Sequence, residues 1–150
     1  MLSAEVPLPM LSNFILTLLH HWLQCALLMP EGFMVHTEQP ITCVDSDPEP
    51  DLSVVRGEMA DFRHAHPRTA ELVIEVCVTS HEYDRSKLRA YAGAGVKECW
   101  LVLGPEKRIE VHRQPPGEQF AECAVQGPGG LLTSTAVPGF TVDLNRLFAA

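Results

Sequence analysis

Two apolar runs separated by a helix-length segment limit the folds open to this chain. Leu72 to Val78 (LVIEVCV) and Cys99 to Leu103 (CWLVL) are almost continuous in β-branched and large apolar residues. Such runs belong to strands buried on both faces, as parallel strands are when helices cover them. Between the runs, Ser80 offers an N-cap, Glu82 stands in the first turn and Gly95 offers a C-terminal stop. The spacing therefore predicts a helix over about residues 81–94. Strand, helix and strand within about thirty residues make a βαβ crossover, expected to be right-handed.

The flanking segments extend this unit. Leu11 to Met29 repeats apolar residues at steps of three and four (Leu11, Ile15, Leu18, Trp22, Cys25, Met29), with Asn13, Thr17, His20, His21 and Gln24 opposite. It reads as an amphipathic helix laid on a core. No Lys or Arg precedes Arg56, so it lacks the basic flank of a signal peptide, and its polar interruptions argue against a membrane span. Short strands are expected at Phe33 to Glu38, Leu52 to Val55, Arg108 to Arg113 and about 118–125, the last two as an antiparallel meander. Asp143 caps a last short helix ending in Leu147 and Phe148. The expectation is one α/β domain over residues 1–150, with a mixed central sheet flanked by helices. A chain of 150 residues is long enough to bury roughly 70% of its unfolded surface without disulfides. Its five cysteines (Cys25, Cys43, Cys77, Cys99, Cys123) form no C-x-x-C pair and read as reduced core residues of a cytoplasmic protein.

Glu75 interrupts the strongest strand. Leu72, Ile74, Val76 and Val78 lie on one face of that strand, and Val73, Glu75 and Cys77 on the other. An isolated carboxylate in such a strand is costly to ionise, so it is neutral, paired with a cation such as an arginine, or bound to a metal. Asp51 is the second candidate. The run Asp45, Asp47, Glu49, Asp51 has the odd-position look of a calcium loop. The sixth position is Pro50 where a glycine must turn, however, and the twelfth is Arg56 where a glutamate must close the shell. What is left is an acid held by a preceding proline at the mouth of a strand, beside a solvated acidic turn. Lys87 is the third. Asp84, Lys87, Leu88 and Tyr91 share one side of the predicted helix, which puts Lys87 on the border of the buried stripe or in a surface pair with Asp84. Two carboxylates with a divalent cation between them and a lysine alongside can hydrolyse a phosphodiester.

These residues resemble the PD-(D/E)XK nuclease superfamily. Pro50-Asp51 matches its PD element and Glu75 its second acid, while the position two beyond Glu75 is Cys77 rather than lysine. A lysine displaced to the following helix is similar to the Uma-type family assigned to restriction endonucleases. The pattern is visible as PDLSVV (50–55), ELVIEVCVTS (71–80), YDRSKLRAYAGAGV (83–96), ECWLVL (98–103), RIEVHR (108–113) and PGFTVDLNRLF (138–148). The resemblance implies a restriction-endonuclease-like fold and Mg²⁺ or Mn²⁺ held by Asp51, Glu75 and the backbone carbonyl of Val76. It further implies Lys87 as the catalytic cation, Asp84 orienting it, Tyr91 packing beneath it, a DNA substrate and a homodimer. It also implies an N-terminal region short for the family, with Glu5 a poor match for the glutamate found there. A family histidine at the start of the long helix appears as Asn13 or its neighbour.

Charge qualifies this reading. With 11 basic and 19 acidic residues the net charge is −8, which excludes a general basic nucleic-acid coat. A local positive rim from Arg56, Arg63, Arg68, Arg85, Lys87 and Arg89 is the expected route to DNA. His64-Ala-His66 is expected in an exposed loop and His20-His21 on the polar side of the first helix. Two rivals stay open: a catalytically inactive nuclease-fold binding or self-associating module, and a hydrolase of small phosphorylated substrates.

Overall fold

A computed structural model describes residues 6–28, 30–78, 85–113, 115 and 117–149. The elements are α1 (Leu8–Ala26), β1 (Phe33–Thr37), β2 (Leu52–Arg56), a 3₁₀ turn (Met59–Phe62), β3 (Leu72–Cys77) and α2 (Arg85–Gly93). They continue with β4 (Glu98–Leu103), β5 (Arg108–Arg113), β6 (Glu122–Gln126), β7 (Leu131–Thr133), β8 (Thr141–Asp143) and α3 (Leu144–Leu147). Strands β1 to β6 form one mixed sheet in chain order, and β7 with β8 forms a separate antiparallel pair.

Both apolar runs are central strands. β3 and β4 pair in parallel from Leu72↔Glu98 to Cys77↔Leu103, and β2–β3, β4–β5 and β5–β6 pair antiparallel. Every residue of β4 is buried, in keeping with a strand covered on both faces. At the end of α2 the chain turns through Gly95 at φ +79°, with Val96 N–H donating to the Tyr91 carbonyl. That is the left-handed stop expected there. Ser80 and Glu82, on which the predicted helix start rests, Asp84, expected to orient Lys87, and Glu5 lie outside the described residues.

Alternation sorts the side chains into two layers. On one face Leu52, Val54, Leu72, Ile74, Trp100, Val102, Ile109 and Val111 pack against α1, the β7–β8 pair and α3. On the other, Val55, Val73, Cys99 and Leu101 pack with Ile41, Val96 and Tyr91 of α2. In α1 the buried stripe is Leu11, Ile15, Leu19 and Leu23, a strict four-residue step. This corrects the expected stripe at three residues: Leu18 and Trp22 are only half-buried and Cys25 is exposed, while Met29 lies outside the described residues. The last two apolar contacts pass to Leu19 and Leu23 because side chains four apart stack directly along a helix. No described helix is long and apolar enough to cross a membrane.

Candidate active site

The pairing register of β2 and β3 brings the two acids together. Leu52 lies opposite Ile74, so Asp51, one step before it, falls beside Glu75. Two hydrogen bonds fix this corner: Asp51 N–H donates to Glu75 Oε1 at 3.0 Å, and Val76 N–H donates to Asp51 Oδ2 at 2.7 Å. Each carboxylate is thus aligned by a main-chain donor next to the other acid. Lys87, on the third residue of α2, extends its ammonium to Glu75 Oε2 at 3.4 Å. The three sequence candidates, drawn from a turn, a strand and a helix, converge on the α2 side of the sheet. Glu75 therefore has a lysine as counter-charge, where a purely structural role had suggested an arginine.

The electrostatics are those of a crowded anionic corner. The Glu75 side chain is 8% exposed and that of Lys87 is 42% exposed. Burial pushes the Glu75 carboxyl above the ordinary carboxylate range; Lys87 opposes this, and the neighbouring Asp51 charge adds to it. Tyr91 is fully buried beneath, and burial together with the charges of Glu75 and Asp51 drives its phenol far above its ordinary value. The phenol is accordingly neutral. Its hydroxyl has no hydrogen-bond partner among the described residues, which leaves a buried polar atom next to the acids. Among the described residues, two hard carboxylates, a lysine and a raised proton affinity at Glu75 fit a divalent cation of the magnesium class, because such an ion relieves the repulsion between the two acids.

The surroundings modify several expectations. Arg56 Nε donates to the buried Glu71 at 2.8 Å and its guanidinium lies 4.8 Å from the centre of the Phe33 ring, while about two-thirds of its side chain stays exposed. Arg89 pairs with Glu118 at 3.4 Å, both side chains being more than two-thirds exposed. Arg63 and Arg68 are exposed, and nothing is described of the Arg85 side chain. Asp45, Asp47 and Glu49 are exposed, as a solvated turn requires, and so are His64 and His66. Only two cysteines meet the expectation of buried core thiols: Cys77 and Cys99 are buried, Cys43 is half-buried, and Cys25 and Cys123 are exposed. Cys25 fell on the wrong side of the helical wheel, and β6 is exposed along its whole length.

Sequence reasoning missed two polar clusters. Glu98 is completely buried and accepts hydrogen bonds from five donors. Glu110, His112 and Cys123 gather on the α2 side of β5 and β6. The period-2 placement of Glu110 and His112 was a signal for the second, but Cys123 joins them only through strand pairing.

The model of the Uma2 family, described as "Putative restriction endonuclease", matches residues 9–145. The chain belongs to the Uma2 family. A solved structure described as a "putative nuclease belonging to DUF820 from Anabaena variabilis ATCC 29413" superposes with a TM-score of 0.73 at 18% identity, covering 93% of this chain and 80% of that one. At that identity the likeness establishes the shared fold: the Uma2 chain has the mixed sheet and flanking helices of that structure. No curated protein matches it.

Proposed function

We propose that this Uma2 protein is a metal-dependent endonuclease that hydrolyses DNA phosphodiester bonds. Asp51 and Glu75 hold Mg²⁺ or Mn²⁺, with the Val76 carbonyl as a further oxygen ligand, and Lys87 is the catalytic cation. The supporting observation is the meeting of Asp51, Glu75 and Lys87 through hydrogen bonds of 3.0 Å and 3.4 Å on one side of the sheet. A bound divalent ion supplies positive charge at the scissile phosphate and acidifies water.

The chain's own groups do the rest. Main-chain N–H groups of Asp51 and Val76 hold the carboxylates in register, so little reorganisation is needed when substrate arrives. Lys87 sits on a short helix with its ammonium half in water, close enough to donate to a phosphoryl oxygen or to orient a water while staying near Glu75. Tyr91 fills the space beneath and excludes solvent from the inner side of Glu75. For the backbone of DNA, Arg63, Arg68 and Arg89 offer exposed guanidinium groups; the exposed Arg89–Glu118 pair is weak enough for a phosphate to replace Glu118. A net charge of −8 makes this approach local and strongly salt-dependent.

The test is Mn²⁺-dependent nicking of plasmid DNA by wild type, Asp51→Asn, Glu75→Ala and Lys87→Ala. Each variant should lose about 10²–10³-fold in rate. Lys87→Ala should still bind Mn²⁺ by calorimetry, while the two acid variants should not. A wild type that binds metal and cuts no DNA refutes the nuclease reading in favour of a binding module. One that cleaves a small phosphoester and spares DNA refutes the substrate.

A further inference from the structure

A second constellation of metal-ligating groups lies on the same face of the sheet, two strands toward the β6 edge. Glu110 and His112 are two apart on β5 and so share a face, and Cys123 of β6 lies directly opposite His112. His112 Nε2 is 3.2 Å from Glu110 Oε1 and 3.9 Å from Cys123 Sγ. The three ligand atoms all fall within 4.8 Å of one another. A tetrahedral ion with bonds of about 2.0 Å to oxygen and nitrogen and about 2.3 Å to sulfur would space N from O by about 3.3 Å and either of them from S by about 3.5 Å. The two separations from His112 lie within about 0.4 Å of these values, and the carboxylate oxygen and Sγ, within 4.8 Å of each other, would draw closer as they close on the ion.

We propose that Glu110, His112 and Cys123 form a binding site for Zn²⁺ or a similar borderline transition metal, separate from the Asp51–Glu75 pair. The donor set decides the class of ion: a thiolate and an imidazole with one carboxylate suit zinc, whereas magnesium and calcium take oxygens. On binding, the Cys123 thiol releases its proton to solvent, and His112 coordinates through Nε2 with its remaining proton on Nδ1. The Phe120 ring, tilted 5.8 Å from that of His112, restricts the imidazole's rotation.

The two sites are distinct. Glu75 and Glu110 stand in one cross-strand row with the buried Leu101 between them, so about 10 Å of sheet separates their strands. The second site has a structural use of its own. β6 is an edge strand whose five residues are all exposed, with no core side chain to hold it. A metal joining Cys123 to His112 and Glu110 pins that edge to β5.

Co²⁺, a spectroscopic substitute for Zn²⁺, tests this on the full chain. Wild type should develop a near-ultraviolet thiolate-to-cobalt band and the visible bands of a tetrahedral ion, both removed by competing Zn²⁺. The near-ultraviolet band should vanish in Cys123→Ser, and His112→Gln should bind at least about tenfold more weakly. Asp51→Asn and Glu75→Gln should leave the spectrum unchanged, which keeps the result independent of the nuclease reading. Cys123 is exposed, so its replacement tests coordination without disturbing the core. The proposal is overturned if wild type shows no thiolate band, if the band persists in Cys123→Ser, or if it depends on Asp51.

Discussion

Replacing Glu98 by alanine should cost this protein more stability than any change at the candidate active site. Glu98 is 0% exposed, at the start of β4 on the face opposite Glu75. Its Oε1 accepts from Arg113 Nε at 3.1 Å, Thr135 N–H at 3.0 Å and Thr135 Oγ1 at 3.1 Å. Its Oε2 accepts from Ser134 Oγ at 2.8 Å and Trp100 Nε1 at 3.1 Å. Hydrogen bonds to an ionised acceptor contribute about 1.5–3 kcal/mol each, and five taken as additive would rival the whole stability of a domain, about 5–15 kcal/mol. They are not additive, because the donors share one carboxylate. The governing quantity is the penalty for leaving a buried partner unpaired, about 3–5 kcal/mol. Here that partner is Arg113, whose side chain is 22% exposed and which also donates to the Thr133 carbonyl at 3.2 Å.

For a chain of this length each kcal/mol moves the Tm by about 2–4 °C, so Glu98→Ala should melt roughly 6–20 °C below wild type. Circular dichroism with urea and heat would measure the loss. A cycle with Arg113→Ala should show the double variant losing less than the sum of the singles, since removing both charges leaves neither stranded. A Tm loss below about 2 °C, or strictly additive singles, would falsify the keystone role assigned to Glu98.

Further expectations follow from the same physics. Burial raises the Glu75 carboxyl above its unfolded value, so the folded state holds that proton more tightly and wild-type stability falls as pH rises from the unfolded carboxylate range through the higher folded value. Glu75→Gln should flatten this slope in urea titrations and be more stable than wild type at neutral pH without metal; a steeper slope would contradict the assignment. Added Mg²⁺ should raise the Tm of wild type and leave Glu75→Gln unmoved, whereas an equal rise in both would place the ion elsewhere. Tyr91→Phe deletes a buried hydroxyl that has no partner among the described residues and should hold or raise stability by about 1 kcal/mol, a clear loss by calorimetry being the contrary result. A Cβ at Gly104 would stand 3.2 Å from Ile15 Cδ1 and 3.3 Å from Leu11 Cδ2, so Gly104→Ala should cost about 1 kcal/mol by pressing on α1. An unchanged urea midpoint would show that those side-chain tips move aside freely.

Much of this architecture is written locally. LVIEVCV and CWLVL announce two buried parallel strands because no other element needs so few polar residues over so short a run. Gly95 marks the end of α2 because a left-handed turn favours glycine, and Asp143 caps α3 by accepting from Asn145 N–H and Arg146 N–H. Longer-range features were less legible. The strand expected at about 118–125 is β6 at Glu122–Gln126, an exposed edge with little apolar alternation to set its ends. The β7–β8 pair passed unnoticed because its strands are three residues each. The ion pair of Arg56 with Glu71 was out of reach too, since sequence alone cannot show that Glu71 is buried beside it.

Chain order alone determined that a carboxylate stands inside a buried strand, that a proline-fixed acid precedes another strand, and that a lysine follows on the crossover helix. Those are properties of residue type and period, which neighbours in sequence dictate. Which groups face one another was decided only by tertiary pairing. The β2–β3 register set Asp51 against Glu75, β4 carried Glu98 under the loop after β7, and β5–β6 pairing joined Cys123 to His112. A shift of one residue in any of these ladders would turn the side chain to the opposite face, so the chemistry depends on register, and register is a property of the whole sheet.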